Sequence, residues 1–350
     1  MIWKKSSRTG FAGSMVSFAT IITMACMVSI FNTTAIKPVH PGKGITPAPM
    51  PATVIIDGNS ALDGFCGGNG TNGTPGNPHV IENITFIMDD DMKDLLVIKN
   101  TNLHLIIRNC TFLGNSTFTG TNLLIENVSN TIVQNCSFIH GVDQLELSHV
   151  NNVSVTTCSF ENGTSGIKLS HVDSCKVNAS WFVNGDYFMY LESMVTNLTI
   201  GDNNASNALD FFHMDDPDLE HLSAYQVNNN NSVNGLPLYY LVNETDMNVA
   251  GDAWAVYIFN SSNITVLDQD WEARLPFITF NSTGITFTNS TVNDTEVHFH
   301  LFNATNVMVS NVLFSNVSGN IDLGRIKGLE IDAVNLTSTS LSLLSFSVDN

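Results

Sequence analysis

Basic side chains are scarce in this chain, with 13 Lys and Arg against 32 Asp and Glu. Five of the thirteen precede residue 52, so the remainder carries 8 basic against 32 acidic groups, a net of −24. So acidic a body repels phosphate backbones and anionic headgroups, which excludes nucleic acid and favours divalent cations or basic partners. Cysteine is sparse as well, six in 350 residues, and its spacing implies no disulfide framework. Helix-length apolar periodicity is missing beyond the N-terminal segment, where apolar alternation is confined to runs of three to five residues. A mainly helical fold is therefore excluded.

One long hydrophobic run is present. Lys4, Lys5 and Arg8 precede the apolar stretch from Phe11 to Phe31. At 21 residues it exceeds the roughly 7–15 of a cleaved h-region and matches the roughly 20 of a spanning helix. Residues 1–34 read as a signal peptide or a retained membrane anchor. Either places the rest outside the cytoplasm, extracellular or at the cell surface, with membrane contact only through residues 11–31. Residues 35–52, "AIKPVHPGKGITPAPMPA", are Pro-rich and aperiodic, and read as an extended linker. Residues 53–350 form the domain.

That domain repeats itself. "LSHVNNVSVTTCSF" from Leu147 returns 22 residues later as "LSHVDSCKVNASWF". The same grammar (apolar alternation, a turn residue, apolar alternation, a bend, a small residue and an aromatic) places a turn slot at Asn100, Asn127, His149, His171, Ser193, Asn260, Asn281, Asn303 and Arg325. Apart from one break the steps run from 21 to 27 residues, most often 22. Three short strands per 22 residues describe one coil of a right-handed parallel β-helix, an all-β solenoid of about ten coils stacked about 4.8 Å apart.

In that geometry the slot is a turn ladder. Asn tolerates the left-handed region and can bond to the amides above and below, and His is enriched there too. His149 and His171 thus read as structural rungs rather than as metal ligands. Cys110, Cys136 and Cys158 share an inward column with Ser180 and read as small core residues, whereas Cys175 aligns with Val153. Stacked strand cysteines project in parallel, so one bridge in the column is possible and a framework is not.

The grammar breaks over residues 208–253, read as an irregular insertion and a protruding loop. Within it "HMDDPDLEH" gathers His213, Asp215, Asp216, Asp218, Glu220 and His221, a carboxylate–imidazole set that could hold Ca²⁺ or a transition ion. It lacks the glycine and closing glutamate of the twelve-residue calcium loop, and a solvated acidic turn is the plainer reading. The Gly- and Asn-rich segment from Asp63 to Ile84 lies where it can cover the open first coil. Asn-x-Ser/Thr sequons are abundant, partly because a turn Asn followed by a strand Ser or Thr writes one automatically.

"IIDGN" at Ile55–Asn59, the Gly-rich stretch after it, and "VNGLPLYYLVNET" followed by "VYIFNSSNITVLD" resemble the β-helix proteins related to the periplasmic copper-accessory protein NosD, of the archaeal surface-protein type. The resemblance spans residues 53–315. It implies a secreted or surface-displayed solenoid with glycan contact. The expectation is a noncatalytic module binding a polysaccharide or a cell-surface protein, with no cofactor apart from possible Ca²⁺. One alternative is a polysaccharide lyase or hydrolase using Asp215, Asp216 and Glu220. The sugar-hydrolase motifs it resembles are incomplete, since Arg325-Ile326-Lys327 is present but Asn-Thr-Asp and Gly-His-Gly are not. A second alternative is copper handling, for which His298 and His300 lack a third partner.

Overall fold

A computed structural model describes residues 50–350 apart from 52, 89–93, 118, 215–218, 272–274, 294–295, 346–347 and 350. The signal or anchor segment 1–34, nearly all of the linker, and Asp215, Asp216 and Asp218 lie outside the described residues. The described chain is a parallel β-solenoid of about 11 coils with few helices. Successive coils pair in register: Leu123 with Leu145 and Leu145 with Ile167 on the first wall, Val133, Val155 and Val177 on the second, and Phe112, Phe138 and Phe160 on the third. Two strands of 20 residues, Ser137–Thr156 and Ser159–Asn178, pass round the corners without losing their ladders. They bend where φ turns positive, as at His149 (51°) and Asn152 (55°).

Like sits on like inside. The rings of Phe86, Phe112, Phe138 and Phe160 are fully buried and stacked at 5.0, 4.8 and 4.9 Å. Cys110, Cys136 and Cys158 form the neighbouring column and are free thiols. Each donates to the carbonyl two residues earlier at 3.4 Å and to one on the preceding coil at 3.7 Å. Ser180, Asn203 and Asn231 continue the column by accepting backbone N–H groups. Burial pushes the Cys136 thiol up, away from the nucleophilic thiolate.

The corner ladder is bonded over two stretches. Asn100 donates to Asp57 (2.8 Å), Asn127 to Asn100 (2.8 Å), Asn281 to Asn260 (2.7 Å) and Asn303 to Asn281 (2.9 Å). His149 and His171 lie parallel at 4.4 Å. The left-handed residue expected at Ser193 is instead Met194, because Leu169 pairs with Leu191 but Ser170 pairs with Ser193. Glu192 is the extra residue of a β-bulge.

Two departures from the repeat matter. The first is helix α1 (Asn59–Cys66), inserted in the first coil, with Leu62 and Cys66 buried against the core. Its apolar residues Ala61, Leu62, Phe65 and Cys66 follow helical spacing, so one face covers the first coil while the other stays polar. The second lies within 208–253. Ala208–Met214 still pair with the coil before, from Gly185 to Leu191, and beyond them only the short runs Gln226–Val227 and Ser232–Val233 keep parallel pairing with what precedes, at residues 199–200 and 204–205. The rest is an irregular coil, which sends Leu222, Tyr225, Val227, Val233, Leu238 and Tyr240 into the core.

The interior divides there. Strand Ala255–Phe259 is buried at all five residues. Ala255, Tyr257 and Phe259 pack into a first core that begins at Ile56, whereas Val256 and Ile258 pack into a second that runs to Ile326. Leu238 and Tyr240 on one side, and Leu241 on the other, extend the same alternation to the adjoining strand Leu236–Val242. A sheet that separates two cores must be apolar on both faces, which accounts for the near-continuous "LPLYYLV" and "WAVYIF".

A candidate binding face around Lys168

The outward side of the first wall carries a compact polar and aromatic cluster. Three consecutive coils place Glu146, Lys168 and Tyr190 in one column, and His213 extends it. Beside it runs the column Asp143, Ser165, Tyr187 and Asp210. The Lys168 ammonium lies 3.6 Å from Asp143, 3.6 Å from Glu146 and 3.8 Å from Glu192. The bulge that displaces the turn to Met194 supplies Glu192, a re-aiming of one side chain that bulges commonly perform.

The surroundings fix this cluster. The Ser165 hydroxyl donates to Asp143, and Thr121 donates to Glu146 at 3.3 Å. The Lys168 ammonium stands 5.7 Å from the centre of the Tyr190 ring. Tyr187 stacks on His213 at 4.1 Å, and Tyr190 meets the same imidazole at 5.1 Å. The Lys168 side chain is only 18% exposed. Burial works against its charge, yet the fields of Glu146, Asp143 and Glu192 outweigh burial and raise its pKa. Burial is also the main reason the Glu146 carboxyl is raised, with Lys168 opposing and Asp143 adding to it. The face thus holds a fixed cation, a carboxyl shifted toward its neutral form, and half-exposed aromatic rings.

The residues singled out from sequence are dispersed by comparison. His213 is the penultimate residue of strand Asn204–Met214 and joins the Tyr187 and Tyr190 rings. Glu220 is exposed and His221 half-buried on the short helix α2 (Leu219–Leu222). Among the described residues no cluster of three His, Cys, Asp or Glu side chains is arranged to hold a metal ion. His298 and His300 share an outward strand face, and His300 is bonded to Asp322 at 2.6 Å. A groove of about 680 Å³ follows the corner ladder past Asp57, Asn59, Asn100, Asn127 and His149. Many of its side chains are bonded to one another, among them Asp57, Asn59, Asn100, Asn102 and Asn127, which leaves fewer groups for a ligand. The Lys168 cluster went unread in sequence, although positions 146, 168 and 190 are spaced by the 22-residue repeat.

No protein-family model matches the chain, and no curated protein matches it. Solved structures do. The A-module of the mannuronan C-5 epimerase AlgE6 of Azotobacter vinelandii aligns with a TM-score of 0.43 at 10% identity, covering 85% of this chain and 90% of that one. The endo-xylogalacturonan hydrolase of Aspergillus tubingensis aligns at 0.36 and 11% identity, over 87% and 86% of the two chains. The tailspike of E. coli bacteriophage HK620, solved with a pentasaccharide, aligns at 0.33 and 10%, over 81% of this chain and 62% of the tailspike.

Proposed function

We propose that this chain is an exported, surface-displayed β-helix of NosD-like kinship that binds polysaccharide along the outer face of its first wall. The observation that carries this reading is the Lys168 cluster. A sugar ring offers an apolar C–H face and a rim of hydroxyls, and recognition needs aromatic surface beside fixed hydrogen-bonding groups. Tyr187, Tyr190 and His213 supply the first, and Asp143, Glu146, Lys168 and Glu192 the second. Three carboxylates around one ammonium leave the face negative. A neutral glycan fits it directly, whereas a polyanion needs a bridging cation such as Ca²⁺. A cell-surface protein is the partner if no glycan is held.

A second reading is polysaccharide cleavage at the same cluster. It is favoured by the three carboxylates around Lys168, of which Glu146 is shifted toward the protonated form a general acid needs. The test is retention of the purified chain on immobilised neutral and acidic polysaccharides, with and without calcium, while released oligosaccharide is scored. Tyr190→Ala is expected to weaken retention about 10-fold, the equivalent of one lost aromatic contact of about 1.4 kcal/mol. Wild-type retention untouched by both Tyr190→Ala and Lys168→Met would sink the proposal. Release that disappears in Glu146→Gln would select the enzymatic reading.

A further inference from the structure

The loop that covers the first coil brings four polar side chains to one peptide bond. Asp63 stands on helix α1, and His79 opens the strand His79–Glu82, which pairs with Leu105–Arg108. Between them the chain turns tightly, with Thr74 and Asn77 forming an isolated antiparallel bridge. The His79 imidazole is fully buried, and both of its nitrogens are engaged. Nε2 lies 2.8 Å from the Asp63 carboxylate, and Nδ1 lies 2.9 Å from the Thr71 hydroxyl. A carboxylate only accepts, so in the neutral ring Nε2 carries the hydrogen and Nδ1 accepts from Thr71. The Thr71 hydroxyl is therefore bonded to a base that a carboxylate holds in the required tautomer, the relation that activates hydroxyl nucleophiles. A Cβ built on Gly73 would stand 2.9 Å from the His79 ring, so the loop backbone locks the imidazole in place.

The carbonyl next to this hydroxyl is also prepared. Thr71 follows Gly70, whose carbonyl oxygen accepts from the Asn77 side-chain amide at 3.2 Å. That oxygen is where negative charge gathers when the carbonyl is attacked, so Asn77 is placed as an oxyanion donor. Gly70 is exposed, lies in the left-handed region at φ 69°, and a Cβ built on it meets nothing within 4 Å. Water thus reaches the Gly70–Thr71 bond from the glycine side, while the base behind it is dry. Nucleophile, base, orienting carboxylate and oxyanion donor converge on the chain's own backbone, and no groove for an outside substrate is needed.

We infer that the chain cleaves itself between Gly70 and Thr71. Thr71 Oγ1 passes its proton to His79 Nδ1 and bonds to the Gly70 carbonyl carbon, and Asn77 holds the resulting oxyanion. Collapse of this adduct breaks the C–N bond between Gly70 and Thr71, and the Thr71 nitrogen takes the proton from His79. The product is an ester joining the Gly70 carbonyl to Thr71 Oγ1. Water then hydrolyses it to a Gly70 carboxylate and a free Thr71 hydroxyl. The N-terminal piece stays seated through the pairing of Val54–Asp57 with Leu96–Lys99 and through buried Leu62 and Cys66. The covalent link to everything before residue 71, including the segment expected to export or anchor the chain, becomes a noncovalent one.

The purified full chain would be incubated at neutral pH and followed by denaturing gel, intact-mass spectrometry and native size exclusion. Expected are one fragment ending at Gly70 and one beginning at Thr71, which separate in denaturant and co-elute without it. Hydroxylamine, which captures esters, should speed scission and leave a hydroxamate on Gly70. Thr71→Val keeps the shape of the side chain without its hydroxyl and should abolish cleavage. Thr71→Ser returns the hydroxyl and should restore it, which separates the chemistry from a damaged fold. Asn77→Ala should slow cleavage about 100-fold, the cost of one lost oxyanion donor. A chain that stays intact with and without hydroxylamine, scission at another bond, or Thr71→Val cleaving as fast as the wild type would each overturn the inference.

Discussion

Replacing Asn281 isolates what the corner ladder is worth. This residue sits at φ 54°, donates to Asn260 at 2.7 Å and accepts from Asn303 at 2.9 Å. An L-residue without a locally bonding side chain is strained by about 1–2 kcal/mol in the left-handed region. Each amide bond contributes about 0.5–1.5 kcal/mol net, and exposure puts these two near the lower figure. Asn281→Ala forfeits both bonds and adds the strain, so a destabilisation of roughly 2–3 kcal/mol is expected. Asn281→Gly forfeits the bonds and is free of the strain, at the cost of about 0.5–1 kcal/mol of backbone entropy. Alanine should therefore be the worse substitution by roughly 0.5–1 kcal/mol. Urea unfolding followed by circular dichroism and tryptophan fluorescence would read this as an ordered series of midpoints, wild type above glycine above alanine. Glycine as harmful as alanine, or both indistinguishable from wild type, would refute the account of the ladder as a bonded left-handed stack.

Phe138→Ala removes a fully buried ring with stacked neighbours at 4.8 and 4.9 Å, and is expected to lower stability by about 3–5 kcal/mol in the same denaturation assay. Phe86→Ala, at the end of that stack, should be milder by about 0.5–1.5 kcal/mol because only one stacked partner is lost. His300 gives a pH signature. Burial lowers its pKa below the ordinary value, with Asp322 opposing and His298 reinforcing the shift. The unfolded chain then takes up a proton near pH 6.5 that the folded chain refuses, so stability is complete above that pH and declines as pH falls below it. Thermal unfolding between pH 7.5 and 5 should show this decline, and His300→Gln should flatten it.

Much of the fold was legible because a solenoid writes its geometry into period. Asn100, Asn127, Asn281 and Asn303 announce a left-handed corner whose amides reach one another, and Phe112, Phe138 and Phe160 announce a ring stack. The same transparency hid Glu192: one additional residue in a strand leaves the apolar alternation readable while moving the turn from Ser193 to Met194. Helix α1 was missed because eight residues amid glycines and asparagines give little more than two turns of signal. The candidate face was harder still. Glu146, Lys168 and Tyr190 differ in chemistry, so a search for like residues at equal spacing passes over them, and only the register shows that they touch. Asp215, Asp216 and Asp218 drew notice through adjacency in sequence, the weaker guide in a fold where neighbours in space are 22 residues apart.

The strand Ala255–Phe259 has a consequence for how such a chain can change length. Where successive coils carry like columns, as at Phe86, Phe112, Phe138 and Phe160, a whole coil can be duplicated or deleted while the remaining rings keep a stacked partner. Strand Ala255–Phe259 offers no such freedom, since its two faces answer to different cores. A coil added there must be apolar on both faces of its strand, as Leu236–Val242 already is, whereas a coil of ordinary inward–outward alternation would leave one core without its wall. Growth by duplication of ordinary coils thus belongs to the two sides of this seam.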